Sequence, residues 1–306
     1  MTIDRTSWWW RRGRGLLILV ASLLAAGVAA DPLQNAAWPE VRSRQPEMNM
    51  RDLADNVGQG TLLGVLGGFR SILADFVWLQ GYMYWEQHDR PNTEAMIQLA
   101  TTLDPRILTF WDQGSSMIAY DIPGWAWRDH AEDLNSSDPA RAAAAAEYIN
   151  QVTLEQGRRG LSLLDRGLQF LPHNFTLLEA KARIYTTRLK DLPNAAENWR
   201  LAAAAADSPF FAARMYFQDL LKLANAASPD ERLRFQRKAY DYLRQLYPTL
   251  PADAPAAQKG VMSDWLRALE DVLKIPHDID PKYAPPPGWK TDPTQEYMPE
   301  LFPEQN

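Results

Sequence analysis

The four histidines are the first candidates for chemistry in this chain of 306 residues: His88, His130, His173 and His277. No two of them form a His-x-x-x-His pair, but His130 has carboxylates close by, at Asp129, Glu132 and Asp133. That cluster could bind a cation weakly, but its spacing does not match an established metal site. Each histidine lies beside turn-forming residues, where a solvated or capping role is the ordinary one. The sequence therefore predicts no metal site.

Signatures of covalent or cofactor chemistry are missing from the sequence. The chain has no cysteine, which excludes disulfides, thiolate metal ligands and a cysteine nucleophile. It also has no Gly-x-Ser-x-Gly motif, no phosphate-binding Gly-Lys-Ser/Thr loop and no dinucleotide fingerprint. The glycine-rich stretch 64–68 lies within an apolar helical pattern and follows no strand. We therefore expect a protein that is not an enzyme and carries no cofactor.

Aromatic residues are the strongest candidates for binding. Core packing is the usual role of such residues, but Trp125 and Trp127 alternate in the segment Ile122–Trp127, which contains Pro123 and Gly124 and is interpreted as a turn. At least one of these two tryptophans should be exposed. Grooves rich in Trp, Tyr and Arg are typical of peptide docking, so the proposed partner-binding residues are Trp85, Trp111, Tyr120, Trp125, Trp127 and Arg128.

Two kinds of binding protein make different demands on these tryptophans. A groove for a glycan or another ligand would bring Trp111, Trp125 and Trp127 together with exposed faces. A scaffold for other proteins would bury them. The net charge of −6 and the isoelectric point of about 5.3 argue against a general nucleic-acid surface in either case.

The start of the chain predicts export. Four arginines (Arg5, Arg11, Arg12 and Arg14) precede an uncharged run from Leu16 to Ala30, which is typical of a secretory signal. Small residues before Asp31 suit cleavage, whereas Trp8–Trp10 would suit an uncleaved membrane anchor. Residues 1–30 are therefore a signal peptide or an anchor, and 31–57 a linker. Both alternatives place the rest in the periplasm or on the extracytoplasmic face of the inner membrane.

The body, residues 58–274, shows helical periodicity almost throughout and no convincing strands, so the sequence predicts an all-α fold. Its first helix carries bulky apolar residues on one face, from Leu62 to Met83, and small residues on the other. We expect this helix to be sandwiched between neighbours, or alternatively to cross a membrane through small-residue packing. The tail, 275–306, is Pro-rich and acidic; it is either disordered or an extended strap on the body.

The spacing of several residues resembles a tetratricopeptide (TPR) repeat. With Ala74 as position one of a 34-residue unit, Gly81, Tyr84, Ala100 and Pro105 fall at positions 8, 11, 27 and 32. A later unit shows the same three-residue spacing at Ala182 and Tyr185. The resemblance covers about residues 74–248 and implies an α-solenoid of about four helix pairs, with an insertion of about 30 residues in the second.

The segments Leu66–Arg70 and Leu103–Arg106, with Trp78 and Leu79 between them, are also similar to a group of TPR-like proteins of the bacterial envelope. This resemblance implies a membrane-tethered or exported helical-repeat adaptor. The leading hypothesis is a non-catalytic scaffold that binds another envelope protein, as a subunit of a secretion, pilus or transport assembly. The alternatives are a periplasmic protein that binds a glycan or peptide and, less favoured, a hydrolase built on an α-solenoid.

Overall fold

A computed structural model describes residues 70–250, 256–277 and 280–290, and the regular secondary structure in these parts is entirely helical. The predicted all-α class is therefore confirmed. Several predictions fall outside the described residues: the signal or anchor (1–30), the linker (31–57), the start of the first body helix (58–69) and the end of the tail (291–306).

The chain divides into two compact units. The described part of the first contains α1 (Arg70–Glu86), α2 (Arg90–Leu103), α3 (Leu108–Ser116), α4 (Ile122–Asp129) and α5 (Ala131–Leu134), with a π-helical turn (Met117–Asp121) between α3 and α4. The long helix α6 (Pro139–Phe170) belongs to both units, because residues 153–161 group with the second.

The second unit continues with α7 (Phe175–Ile184), a π-helical turn (Tyr185–Leu189), α8 (Leu192–Ala203), α9 (Phe210–Ala226), α10 (Pro229–Leu246) and α11 (Ala256–Leu273). Short 3₁₀ turns follow α10 (Tyr247–Thr249) and lie in the tail (Pro281–Tyr283). Each helix from α7 to α11 packs against the next. Among the helices that the structure describes, none combines the length and the apolar character needed to cross a membrane.

The helix pair α1 and α2 is held together by the small-residue face of α1. Ala74, Gly81 and Ala100 are fully or almost fully buried. A Cβ on Gly81 would lie 2.9 Å from the Cβ of Met96, so the two backbones approach too closely for a larger residue. The close approach on this side agrees with the sequence. The bulky side of the described helix is exposed, however, so the prediction that α1 is sandwiched is wrong for Arg70–Glu86.

The same turn connects α1 to α2 and α7 to α8. In the first turn, Asp89 caps α2 and accepts hydrogen bonds from the backbone and side-chain nitrogens of Asn92 at 3.2 and 2.7 Å. In the second, Asp191 accepts the same pair from Asn194 at 3.1 and 2.7 Å. The two aspartates are 102 residues apart (191 minus 89).

These two turns also share their backbone geometry. The residue before each aspartate is left-handed, with φ of 58° at His88 and 54° at Lys190. A proline occupies the first turn of the following helix in both cases. The described chain thus contains two helix–turn–helix units with equivalent turns, one in each compact unit.

Two local predictions had different outcomes. Asp138 caps α6 with Pro139 in its first turn, as predicted, and the helix continues unbroken to Phe170. The segment Ile122–Trp127 is not a turn, however; it forms most of α4. Pro123 is compatible with a helix here because it lies in the first turn of α4.

The described part of the tail lies on helices of its own unit. The Ser263 hydroxyl donates to the Tyr283 carbonyl at 3.0 Å, and the Tyr247 hydroxyl donates to the Ala284 carbonyl at 2.8 Å. The Trp289 indole covers Gly260 on α11, and its N–H donates to Asp264 Oδ2 at 3.0 Å. Residues 280–290 therefore form an extended segment held against α10 and α11.

Candidate functional site

An open cleft of about 590 Å³ lies in the first unit, where the end of α1 and the turn after it meet the π-helical turn and α4. We call it the aromatic cleft. It is lined by Trp85, Glu86, His88, Tyr120, Asp121, Gly124, Trp125, Trp127 and Arg128. Five of the six residues predicted to bind a partner are in this set.

The wall from α1 is fixed by two contacts of Trp85. Its indole N–H donates to Asp121 Oδ2 at 2.8 Å. Its ring stacks on Tyr82 with centroids 5.1 Å apart and an angle of 30° between the planes. A hydrogen bond to a carboxylate is stronger than a neutral one. These contacts hold the indole in a defined orientation before any partner arrives.

The turn after α1 carries His88 into the cleft. Its left-handed φ of 58° is a conformation that histidine adopts more readily than most residues. The imidazole stacks on Trp125, with centroids 4.9 Å apart, and its Nε2 lies 3.2 Å from an Nη2 of Arg128. Because a guanidinium only donates, this contact requires the tautomer in which Nε2 is the acceptor. Arg128 is thereby held beside the aromatic wall.

The opposite wall comes from the π-helical turn and α4. A π-helical turn adds one residue to a helical turn and is frequent at functional sites. Here its last two residues, Tyr120 and Asp121, line the cleft. Gly124 leaves part of this wall open, because a Cβ at that position would meet no atom within 4 Å. The glycine thus adds room to the cleft and is not required by packing.

The tryptophans of α4 differ in exposure. Trp125 is 5% exposed and forms part of the core, whereas Trp127 is 56% exposed. The expectation that at least one of the two is exposed is confirmed. Trp127 is therefore the aromatic face that an incoming group can reach most easily.

The structure does not bring Trp111 into the cleft. Its side chain is 2% exposed, its indole N–H donates to the Pro105 carbonyl at 2.8 Å, and its ring stacks on Phe170 with centroids 6.0 Å apart. Arg166 lies over the same ring, 5.9 Å from its centroid. Trp111 is therefore a core residue and not part of the candidate site.

The predicted repeat positions also lie outside the cleft. They share a role in packing: four of them are buried and the two tyrosines are partly buried, and the set comprises Gly81, Tyr84, Ala100, Pro105, Ala182 and Tyr185. Gly81, Tyr84, Ala100 and Pro105 pack within the unit that carries the cleft, whereas Ala182 and Tyr185 belong to the second unit; none of the six lines the cleft.

One of the carboxylates near His130, Asp133, is paired within the protein. Asp133 accepts hydrogen bonds from His130 Nδ1, at 3.3 Å, and from Arg141. These two bonds, with that of His130 the larger cause, lower the pKa of the Asp133 carboxyl. Within residues 70–250, 256–277 and 280–290, no group of three or more His, Asp and Glu side chains is arranged to hold a metal ion.

Sequence reasoning missed four cleft residues: Glu86, His88, Asp121 and Gly124. Asp121, Gly124, Trp125 and Arg128 have the spacing i, i+3, i+4 and i+7, which places them on one helical face. Interpreting this segment as a turn concealed that pattern. For His88, the signal was its place between a helix end and the Asp89 cap.

No protein-family model, curated protein or solved structure matches this chain.

Proposed function

We propose that this protein is a non-catalytic, TPR-like scaffold of the bacterial cell envelope, exported or membrane-anchored, which binds another envelope protein through the aromatic cleft. Its place would be in a secretion, pilus or transport assembly. The observation that carries this proposal is the cleft, in which Trp127 offers an exposed aromatic face beside Trp85, Tyr120 and Arg128.

The composition of the cleft favours a protein partner. Trp, Tyr and Arg are the residue types that most often dominate the energy of protein interfaces. The bonds of Trp85 to Asp121 and of Arg128 to His88 fix two of these side chains in advance. Such preorganisation lowers the entropic cost of ordering these side chains on binding.

The size and charge of the cleft favour a peptide segment with a basic side chain. A volume of about 590 Å³ falls in the range of pockets that bind drug-sized ligands and therefore leaves room for a peptide side chain. Two carboxylates, Glu86 and Asp121, line it, whereas its arginine is engaged by His88. A lysine or arginine of the partner would find aromatic faces for a cation–π contact and the Glu86 carboxylate for an ion pair.

The repeat and envelope parts of the proposal have separate support. The equivalent turns at Asp89 and Asp191 support descent of α1–α2 and α7–α8 from one repeated unit. The envelope location depends on the signal-like residues 1–30 and on the resemblance seen in the sequence.

The alternatives find less support. A glycan groove would expose Trp111, Trp125 and Trp127 together, but two of the three are buried. The exposure of Trp127, in turn, departs from the expectation that a scaffold buries all three. A hydrolase would need a convergent acid pair. Glu86 and Asp121 do line one cleft, but Asp121 Oδ2 already accepts the Trp85 indole N–H.

Site-specific photo-crosslinking in living cells tests the proposal. A photoreactive phenylalanine replaces Trp127 in the full chain, and the matched control replaces Leu233, an exposed apolar residue of α10. We expect one defined envelope protein to be crosslinked at position 127 and not at position 233. Gly124→Leu, which projects a bulky side chain into the cleft, should abolish that product. If the same proteins were crosslinked at both positions, or if Gly124→Leu left the product at position 127 unchanged, the proposal would be overturned.

A further inference from the structure

A second surface, separate from the cleft, lies along α1. Four large apolar side chains on its outer face are between 50% and 66% exposed: Ile72, Phe76, Leu79 and Met83. We call them the α1 stripe. Their spacing of four, three and four residues places them on one face of the helix, opposite the buried Ala74 and Gly81.

The stripe has the pattern of a helix–helix seam. Apolar residues that alternate three and four positions apart are typical of surfaces that pack against another helix. The stripe itself contains no charged residue. Contiguous exposed apolar side chains of this kind mark interaction sites more often than scattered single ones do.

We propose that the α1 stripe binds the α1 stripe of a second copy of this chain, in antiparallel orientation about a two-fold axis. In this arrangement Ile72 packs against Met83 of the partner subunit, and Phe76 packs against Leu79 of the partner subunit. The same pairs recur on the other side of the axis, because an interface with two-fold symmetry uses one patch twice.

The sequence of the stripe favours this orientation. Antiparallel pairing places the bulky Phe76 opposite a smaller leucine, so that large and small side chains interdigitate. A parallel pair would instead stack each phenylalanine on its own copy.

The flank of the stripe is also complementary to itself. Asp75 and Tyr82 lie on the same edge of α1, seven residues apart, and both are exposed. Antiparallel pairing therefore brings each Asp75 carboxylate beside Tyr82 of the partner subunit, whose hydroxyl can donate a hydrogen bond to it. No two carboxylates are brought together in this register.

The same flanks argue against a lipid surface. Helices that lie on membranes carry Lys and Arg beside their apolar face, which attract anionic lipids. The residues bordering the α1 stripe include Asp75, Gln80 and Glu86, which are polar or acidic. A protein helix is therefore the better occupant.

The absence of cysteine from the chain permits a clean test. Two full-length variants with different tags, Asp75→Cys and Tyr82→Cys, are produced together, and intact cells are treated with a short bismaleimide. The antiparallel dimer predicts a product that joins the two tags, at least tenfold above the products joining identical tags. In such a mixed dimer, both cysteines lie on one edge, and the other edge keeps the original Asp75 and Tyr82.

Two further variants complete the design. Phe76→Ser, added to both chains, should reduce the mixed product to background, whereas Leu233→Ser, at another exposed apolar position, should leave it unchanged. An absent product, a preference for identical tags, or a product unaffected by Phe76→Ser would overturn the proposal. Because Gly124→Leu fills only the cleft, it should not change this product, so failure of the dimer and failure of the proposed function are distinguishable.

Discussion

Replacing Gly260 with alanine should release residues 280–290 from the surface of α11. A Cβ at this position would overlap the indole of Trp289, which covers the glycine. The indole would have to move away, and with it would go the hydrogen bond from its N–H to Asp264 Oδ2, now 3.0 Å long. The hydrogen bonds that Tyr283 and Ala284 accept are farther along the segment and would be weakened but not directly blocked.

The size of the effect follows from these two losses. Full burial of a large apolar side chain contributes about 1.5–3 kcal/mol, so the partly buried indole of Trp289 contributes roughly 1 kcal/mol. A hydrogen bond to a charged group contributes about 1.5 kcal/mol or more. Allowing for partial relaxation, we expect docking of the segment to weaken by about 2 kcal/mol, which corresponds to roughly a 30-fold increase in its opening.

Hydrogen exchange measured by mass spectrometry on residues 280–290 gives this opening directly. Gly124→Ala is the matched control, because it also replaces a glycine within a helix but its Cβ would meet no atom within 4 Å. Both variants gain about 0.5–1 kcal/mol of helix stability, so only a contact with Trp289 can separate them. Equal exchange of the segment in Gly260→Ala and in the control would refute the reasoning.

Three further predictions concern stability, each measured by urea unfolding. Trp127→Ala should change the free energy of unfolding by no more than about 0.5 kcal/mol because the side chain is exposed. Trp125→Ala, at a core position, should lower that free energy by about 3–5 kcal/mol. Equal effects would contradict the assignment of Trp127 to the surface and of Trp125 to the core. Gly114→Ala should cost about 1–3 kcal/mol, since its Cβ would lie 2.7 Å from Ile97 Cγ2, and an unchanged midpoint would contradict the close contact. Burial raises the pKa of Asp219, whose Oδ2 has no hydrogen-bond partner. The native state therefore holds a proton on this carboxyl more tightly than the unfolded chain does. As a result, the stability of the wild type rises as the pH falls through that raised pKa. Asp219→Asn should therefore be more stable than the wild type at pH 7, despite losing the ion pair of Asp219 with Lys222, and this difference in stability should narrow on acidification. A difference independent of pH would contradict the burial of a charged Asp219 carboxylate.

The local signals of helix ends were readable from the sequence. Asp138 with Pro139 predicted the start of α6, and the structure places the helix start there. Such signals are reliable because a cap satisfies backbone N–H groups within a few residues and needs no tertiary context. The segment Ile122–Trp127 misled because Pro and Gly together are typical of turns, although Pro is also compatible with the first turn of a helix.

The choice of buried face was less predictable. On α1 the larger apolar residues, such as Phe76, are exposed, and the small ones, such as Gly81, are buried. Hydrophobicity alone would bury the face with the large apolar residues and expose the face with the small ones. The deciding factor is the close approach of Met96, which only a small residue permits. Similarly, the sequence could not separate the buried Trp111 from the exposed Trp127, because both are tryptophans in helical segments.

The central claim is that the aromatic cleft binds a partner protein. The most direct test measures how much of the partner identified by crosslinking co-purifies with three full-length forms: wild type, Gly124→Ala and Gly124→Leu. A Cβ at this position meets nothing, so the alanine form should retain the partner, whereas a leucine should occupy the cleft and reduce the yield at least tenfold. Equal recovery of the partner with the leucine form, at unchanged stability, would contradict the account.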